Sequence, residues 1–233
     1  MKQIGLIGGM SWESTKEYYR ILNQMAAREF GGLHSAECII ASVDFAPLAQ
    51  WMHRNEWEPI RELLTGKARA LERAGAELVL IATNTMHLLA DDIAASISVP
   101  LVHIADAAGE ACVAGKLKRV ALMGTQFTME MGFYTEKLEK NYGLEVLIPE
   151  KEGRTRIDAI IFDELCAGIF EDSSRDFLIT EAGKLIDRGA EGVILGCTEL
   201  PLVVQDSDLP VPVLDTMELH AGMAFTLAVT PRA

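Results

Sequence analysis

The sequence predicts an α/β protein made of two similar parallel-sheet α/β domains related by pseudo-two-fold symmetry. Three observations predict it. Short, continuously apolar runs alternate with segments of helical periodicity from end to end. The runs lack polar alternation, as expected for strands of a parallel sheet covered on both faces. Several short segments also recur at a nearly constant spacing, and that spacing is too long for a solenoid.

Taken in order, Gln3 to Ile7 reads as a buried strand broken by Gly8-Gly9. Ser14 and Glu17 form a capping-box pattern ahead of Tyr18, Ile21, Leu22 and Met25 at helical spacing. Cys38 to Phe45 is a second strand, and Ile60, Leu63, Leu64, Leu71 and Ala74 mark a helix ending near Gly75. Glu77 to Ala82 is a third strand, followed by a helix through Met86, Leu89, Ala90 and Ile93. Val99 to Ile104 is a fourth strand before a small-residue helix at Ala107 to Val113. The order then recurs: strand at Arg119 to Met123, helix at Phe133 to Tyr142, strand at Leu144 to Ile148. Helices follow through Ile157 to Leu165 and Phe177 to Ile186, then strands at Glu191 to Gly196 and Val211 to Leu214. A helix at Met217 to Leu227 closes the series.

The recurrence is explicit. Gly75-Ala76-Glu77 and the strand to Thr83 reappear as Gly189-Ala190-Glu191 and the strand to Cys197, 114 residues on. Ile4 to Gly8 matches Val120 to Gly124 at 116, and Val99-Pro100 matches Val211-Pro212 at 112. Collinear matches at one spacing mean duplicated domains. The expected division is 1–100 plus 211–233 for the first and 101–210 for the second.

The chain has 233 residues and a formal charge of −13, with 49% hydrophobic and 24% charged residues. This is an ordinary globular composition. The acidity and the absence of a basic run predict no nucleic-acid and no membrane partner. No apolar run approaches the ~18 residues of a spanning helix. The stretch after Lys2 is too short for a signal peptide, and the four cysteines contain no CxxC pair, so a cytoplasmic setting is expected. No HxH, HExxH or CxxC spacing predicts a metal, and Gly5, Gly8 and Gly9 do not make a GxGxxG fingerprint.

In open parallel sheets ligands bind beyond the carboxyl ends of the strands. The duplication puts Thr83 and Cys197 at equivalent strand ends, where following backbone N–H groups can meet an anion. Two proton-transfer groups on opposite faces of one carbon can invert that carbon. A free thiol titrates near pH 8.5, so a thiolate at Cys197 is a reasonable base, whereas a threonine hydroxyl is a far weaker acid. Glu199, two residues on, can orient Cys197, but a carboxylate that close raises the thiol pKa unless held away. Cys38, Cys112 and Cys166 are expected to be buried. His87, His103 and His220 are expected to be structural.

The segments Gly8-Gly9-Met10-Ser11-Trp12-Glu13-Ser14-Thr15, Ala82-Thr83-Asn84-Thr85-Met86-His87 and Gly196-Cys197-Thr198-Glu199 resemble the aspartate/glutamate racemase family across essentially the whole chain. Most members pair two cysteines. Here Thr83 stands in place of the first, as in a bacterial subgroup with a Thr/Cys pair. The resemblance implies a cofactor-independent amino-acid racemase, commonly a homodimer, with its active site between the two domains. It places Met10, Ser11, Asn84, Thr85, Thr125, Thr198 and Glu199 around the substrate amino acid. The segment Asp44 to Trp57 is implied to approach the substrate side chain, with Arg54 and His53 as its cations and Met52 adding no charge. Two other readings compete: a cofactor-independent malonate-type decarboxylase, in which one cysteine protonates an enediolate, and a non-catalytic amino-acid-binding protein.

Overall fold

A computed structural model describes residues 1–231. The chain forms two compact units, Met1–His103 with the chain from His220 on, and Ile104–Leu219. Among the described residues no helix is long and apolar enough to cross a membrane.

The first unit runs β1 (Ile4–Gly8), α1 (Trp12–Phe30), β2 (Cys38–Ser42), α2 (Phe45–His53), α3 (Trp57–Arg73), β3 (Leu78–Ile81), a 3₁₀ turn (Thr85–Leu89) and α4 (Ala90–Ala95). Its sheet is parallel in the order β2-β1-β3. β1 and β3 are buried throughout, and this is why neither alternates in sequence. The second unit runs α5 (Ile104–Ala114), β4 (Arg119–Gly124), α6 (Gln126–Glu130), α7 (Thr135–Tyr142), β5 (Glu145–Leu147), α8 (Lys151–Ala159), a π-helical turn (Ile160–Glu164) and a 3₁₀ turn (Leu165–Ala167). It continues through α9 (Asp172–Asp187), β6 (Val193–Gly196), β7 (Val213–Asp215) and α10 (Thr216–Val229), the last crossing the unit boundary. Its parallel sheet has the order β5-β4-β6-β7.

The duplicated sequence folds into duplicated registers. Gly5 pairs with Val79 as Ala121 pairs with Val193. Val79 bridges to Leu101 as Val193 pairs with Val213. The N–H of Val79 donates to Pro100 at 2.9 Å, and that of Val193 to Pro212 at 3.0 Å. Gly75 and Gly189 leave their helices at φ +105° and +97°, a region open to glycine and strained for other residues. Each is followed by a glutamate that ties down the start of the neighbouring strand. Glu77 Oε2 accepts from Gln3 N–H at 3.0 Å, and Glu191 Oε2 accepts from Lys118 N–H at 2.6 Å and Arg119 N–H at 3.2 Å.

Several elements depart from the sequence reading. The helix expected from a Ser14/Glu17 capping box starts earlier, because Ser11 is the cap and its side chain accepts from Ser14 N–H. The strand expected to reach Phe45 stops at Ser42, where Asp44 caps α2 by accepting from Ala46 N–H at 3.2 Å. The strand expected over Val99 to Ile104 shrinks to the single bridge at Leu101, since Pro100 lacks an N–H and Ile104 already begins α5. Residues 211–219, assigned by the sequence to the first domain, cluster with the second unit, because β7 hydrogen-bonds to β6. Residues 101–103 cluster with the first.

Candidate active site

In the first unit, β1 and β3 lie side by side, and the Ala82 N–H donates to Ile7 at 2.9 Å. Gly8–Ser11 and Ala82–Thr85 follow these adjacent carboxyl ends. Gly9 has φ +92°, and a Cβ there would lie 2.2 Å from the Val43 carbonyl oxygen, so the chain closes tightly over β2 only with glycine. The Gly9 N–H donates to Thr15 Oγ1 at 2.8 Å, and Thr15 Oγ1 donates to the Ser11 carbonyl at 3.0 Å. Met10 is buried, and Ser11 caps α1. Thr83 is half-buried, its N–H bonded to the Ile81 carbonyl at 2.8 Å. Asn84 and Thr85 are buried. Six of the predicted residues belong to the first unit, and five of these gather at the two strand ends. Arg54 is the exception. It is the exposed C-cap of α2, and its guanidinium has no hydrogen bond or ion pair among the described residues. His53 is likewise exposed and bonds the Ala49 carbonyl at 2.7 Å. Met52, on α2, is buried.

In the second unit, Gly124 pairs with Gly196, so Thr125 and Cys197 leave adjacent strand ends. Thr125 caps α6 by accepting from Thr128 N–H at 3.3 Å, and the two hydroxyls lie 3.1 Å apart. The Gln126 N–H is held by Asp158 Oδ1 at 2.8 Å. Cys197, Thr198 and Glu199 are all buried. One oxygen, Glu199 Oε2, accepts from both Cys197 Sγ at 3.0 Å and Thr198 Oγ1 at 2.9 Å.

Glu199 is not held away from the thiol, and the raised pKa expected of so close a carboxylate follows. Burial first, then the charge of Glu199, push the Cys197 thiol well above its ordinary value. At neutral pH Cys197 is a thiol donating its hydrogen to a carboxylate, so its ionisation requires transfer to a nearby base.

Cys166 departs from the expectation of burial. It is exposed, yet desolvation and the charge of Glu199 push its thiol up to about 12, and it in turn raises Cys197. The π-helical turn before it is the kind of widening that places a helix side chain off its regular face. No feature of the sequence marked that turn. Cys112 is buried as expected, with its thiol raised to about 11 by desolvation, and Cys38 is half-buried with a raised thiol. The histidines are more closely connected to the site than the sequence implied. His87 is buried, its Nδ1 lies 2.8 Å from the Thr83 carbonyl oxygen, and its ring is 4.6 Å from that of His103 and 5.5 Å from that of His220. Among the described residues no group of three His, Cys, Asp or Glu side chains is arranged to hold a metal ion.

Known proteins of similar sequence and fold bear on these strand ends. A crystal structure of a candidate Asp/Glu racemase from Yersinia pestis is 44% identical, with TM-score 0.93, covering 99% of this chain and 100% of its own. An aspartate racemase homologue from Pyrococcus horikoshii OT3 is 39% identical, with TM-score 0.86 and coverages of 99% and 100%. The broad specificity amino-acid racemase RacX of Bacillus subtilis is 21% identical over 217 residues, 91% of this chain and 92% of that protein. The profile of the Asp/Glu/Hydantoin racemase family matches residues 7–224, and the chain belongs to that family.

Proposed function

We propose that this protein is a cofactor-independent amino-acid racemase in which Cys197 and Thr83 exchange protons with opposite faces of one substrate Cα. The observation that carries the reading is the Cys197–Glu199 pair at a strand end register-equivalent to that of Thr83. Glu199 Oε2 takes the thiol proton across 3.0 Å, and the thiolate so formed takes the α-proton. The electrons remain on the substrate as an enediolate. The hydroxyls of Ser11, Thr85 and Thr125 and the amide of Asn84 are the donors assigned to its oxygens, Thr198 is assigned to the substrate through its backbone while its hydroxyl donates to Glu199, and Met10 is an apolar wall. Thr83 Oγ1 delivers a proton to the other face and recovers it from water, the hydroxide so formed takes the proton held on Glu199, and inversion in the other direction runs the steps backwards. Arg54 and His53 are assigned to the substrate side chain.

The test is deuterium wash-in at the α-carbon of a panel of amino acids in heavy water, with chiral separation of the products. Exchange with inversion that disappears in Cys197→Ser is expected. No exchange with any amino acid, or full activity in Cys197→Ser, refutes the reading. The protonated resting state of Cys197 favours one second reading, a decarboxylase whose thiol protonates the enediolate left by CO₂ loss. Release of CO₂ from a substituted malonate without α-exchange of amino acids would put it first.

A further inference from the structure

Thr83 sits in a short turn whose two peptide groups are both held. Its N–H donates to the Ile81 carbonyl at 2.8 Å, and its carbonyl oxygen lies 2.8 Å from His87 Nδ1. A carbonyl oxygen only accepts, so His87 Nδ1 carries the hydrogen. The His87 N–H in turn donates to the Asn84 carbonyl at 3.0 Å. Behind it, the imidazole is wedged by two others, His103 at 4.6 Å and His220 at 5.5 Å between ring centroids.

His220 is itself locked. Its Nε2 lies 2.9 Å from the Val102 carbonyl oxygen and must donate to it. Its Nδ1 is then the acceptor, and Tyr18 Oη donates to it at 2.8 Å, with the two rings edge to face. Both buried histidines are kept neutral, because burial pushes His220 down to about 4 and His87 well below its ordinary value. A neutral ring has one N–H, and at His87 that hydrogen is spent on Thr83. The sequence places Tyr18, His87, Val102 and His220 far apart, and the fold gathers them behind one strand end.

We propose that His87 is a positioning residue for the reaction: its Nδ1–H holds the Thr83 carbonyl and so sets where Thr83 Oγ1 points. The inference rests on the racemase reading of Thr83. It concerns only the Thr83 face of the substrate and leaves proton exchange at Cys197 intact. The chemistry of the substitutions separates this role from packing. An Asn Nδ2 is the same number of bonds from the backbone as His Nδ1, whereas a Gln Nε2 corresponds to His Nε2. His87→Asn therefore keeps a donor where Thr83 needs it and leaves empty space. His87→Gln fills more of the space and moves the donor away. His87→Leu removes it.

The experiment measures two rates on each variant in heavy water: inversion, and α-deuterium incorporation with retention, which needs Cys197 and Glu199 but not Thr83. Expected is inversion within about threefold of wild type for His87→Asn, and a loss of roughly 10- to 100-fold for His87→Gln and His87→Leu, the size of one or two charge-neutral hydrogen bonds. KM and incorporation with retention stay near wild type in all three. Equal inversion in the three variants, or inversion that follows their melting temperatures, overturns the proposal. If His87→Leu does not fold, the Asn and Gln variants decide it between them. A wild type that exchanges no amino acid refutes the racemase reading and this inference with it. A wild type that inverts while all variants invert alike removes this inference only.

Discussion

Replacing Glu199 with Gln should make Cys197 easier to ionise and, at the same time, a poorer catalyst. Gln is nearly isosteric and keeps an oxygen able to accept from Cys197 Sγ and Thr198 Oγ1, so what the change removes is the charge. At 3.0 Å and an effective dielectric of about 20, a full thiolate–carboxylate repulsion is about 5 kcal/mol. Even a quarter of it raises the thiolate fraction at pH 7 about tenfold. Alkylation by iodoacetamide, read by mass spectrometry in a Cys38→Ser, Cys166→Ala background, should therefore speed up by at least roughly tenfold. The α-proton exchange should move the opposite way, by about 10²- to 10⁴-fold, because the thiol has lost the group that receives its proton. Opposite signs are the signature. Unchanged alkylation would show that the charge of Glu199 does not hold the thiol up, and exchange that rises along with alkylation would show that Glu199 only suppresses the thiol and takes no proton.

Other outcomes follow from the same geometry. A methyl at Gly124 would lie 2.7 Å from the Gly196 carbonyl oxygen, directly before Cys197. Gly124→Ala should cost about 1–3 kcal/mol in urea unfolding and lower kcat for exchange more than it raises KM. The buried histidines make stability pH-dependent. Above pH ~6.5 both states are neutral at His220, and as pH falls toward about 4 the unfolded chain takes a proton that the native site refuses. Unfolding free energy should drop by on the order of 3 kcal/mol between pH 7 and pH 4 from this residue, with His87 adding loss of the same sign. The Tyr18→Phe, His220→Phe double variant should flatten that slope, and an unchanged slope would refute the assignment. Cys166, although exposed, should label slowly at pH 7 because desolvation and then the charge of Glu199 push its thiol up to about 12, and rapid labelling would contradict that combined shift.

The parts of this protein legible from sequence are those that depend on local pattern. β1, β3, β4 and β6 stood out because strands buried on both faces are continuously apolar. Thr83 and Cys197 stood out because each follows such a strand at one duplicated position. What stayed hidden depends on partners distant in sequence or on irregular backbone. Ser11 took the capping role from Ser14 through the turn after Gly9, and Asp44 ended a strand that the run to Phe45 seemed to continue. Cys166 looked like one more apolar helix position, but it follows the π-helical turn at Ile160–Glu164, is exposed, and feels the charge of Glu199. His87 looked like a packed histidine because its neighbours His103, His220 and Tyr18 come from separate elements.

The glutamates that follow Gly75 and Gly189 point to a division of labour along each strand. Glu77 and Glu191 fasten the amino-terminal ends of β1 and β4 through backbone N–H groups. The residues of the candidate site other than Arg54 follow the opposite, carboxyl ends. Anchorage and chemistry thus reside at separate poles, more than a strand's length apart. A duplicated half can carry a different residue after its strand, Thr83 in one and Cys197 in the other, while the start of the neighbouring strand keeps the same carboxylate and the same register.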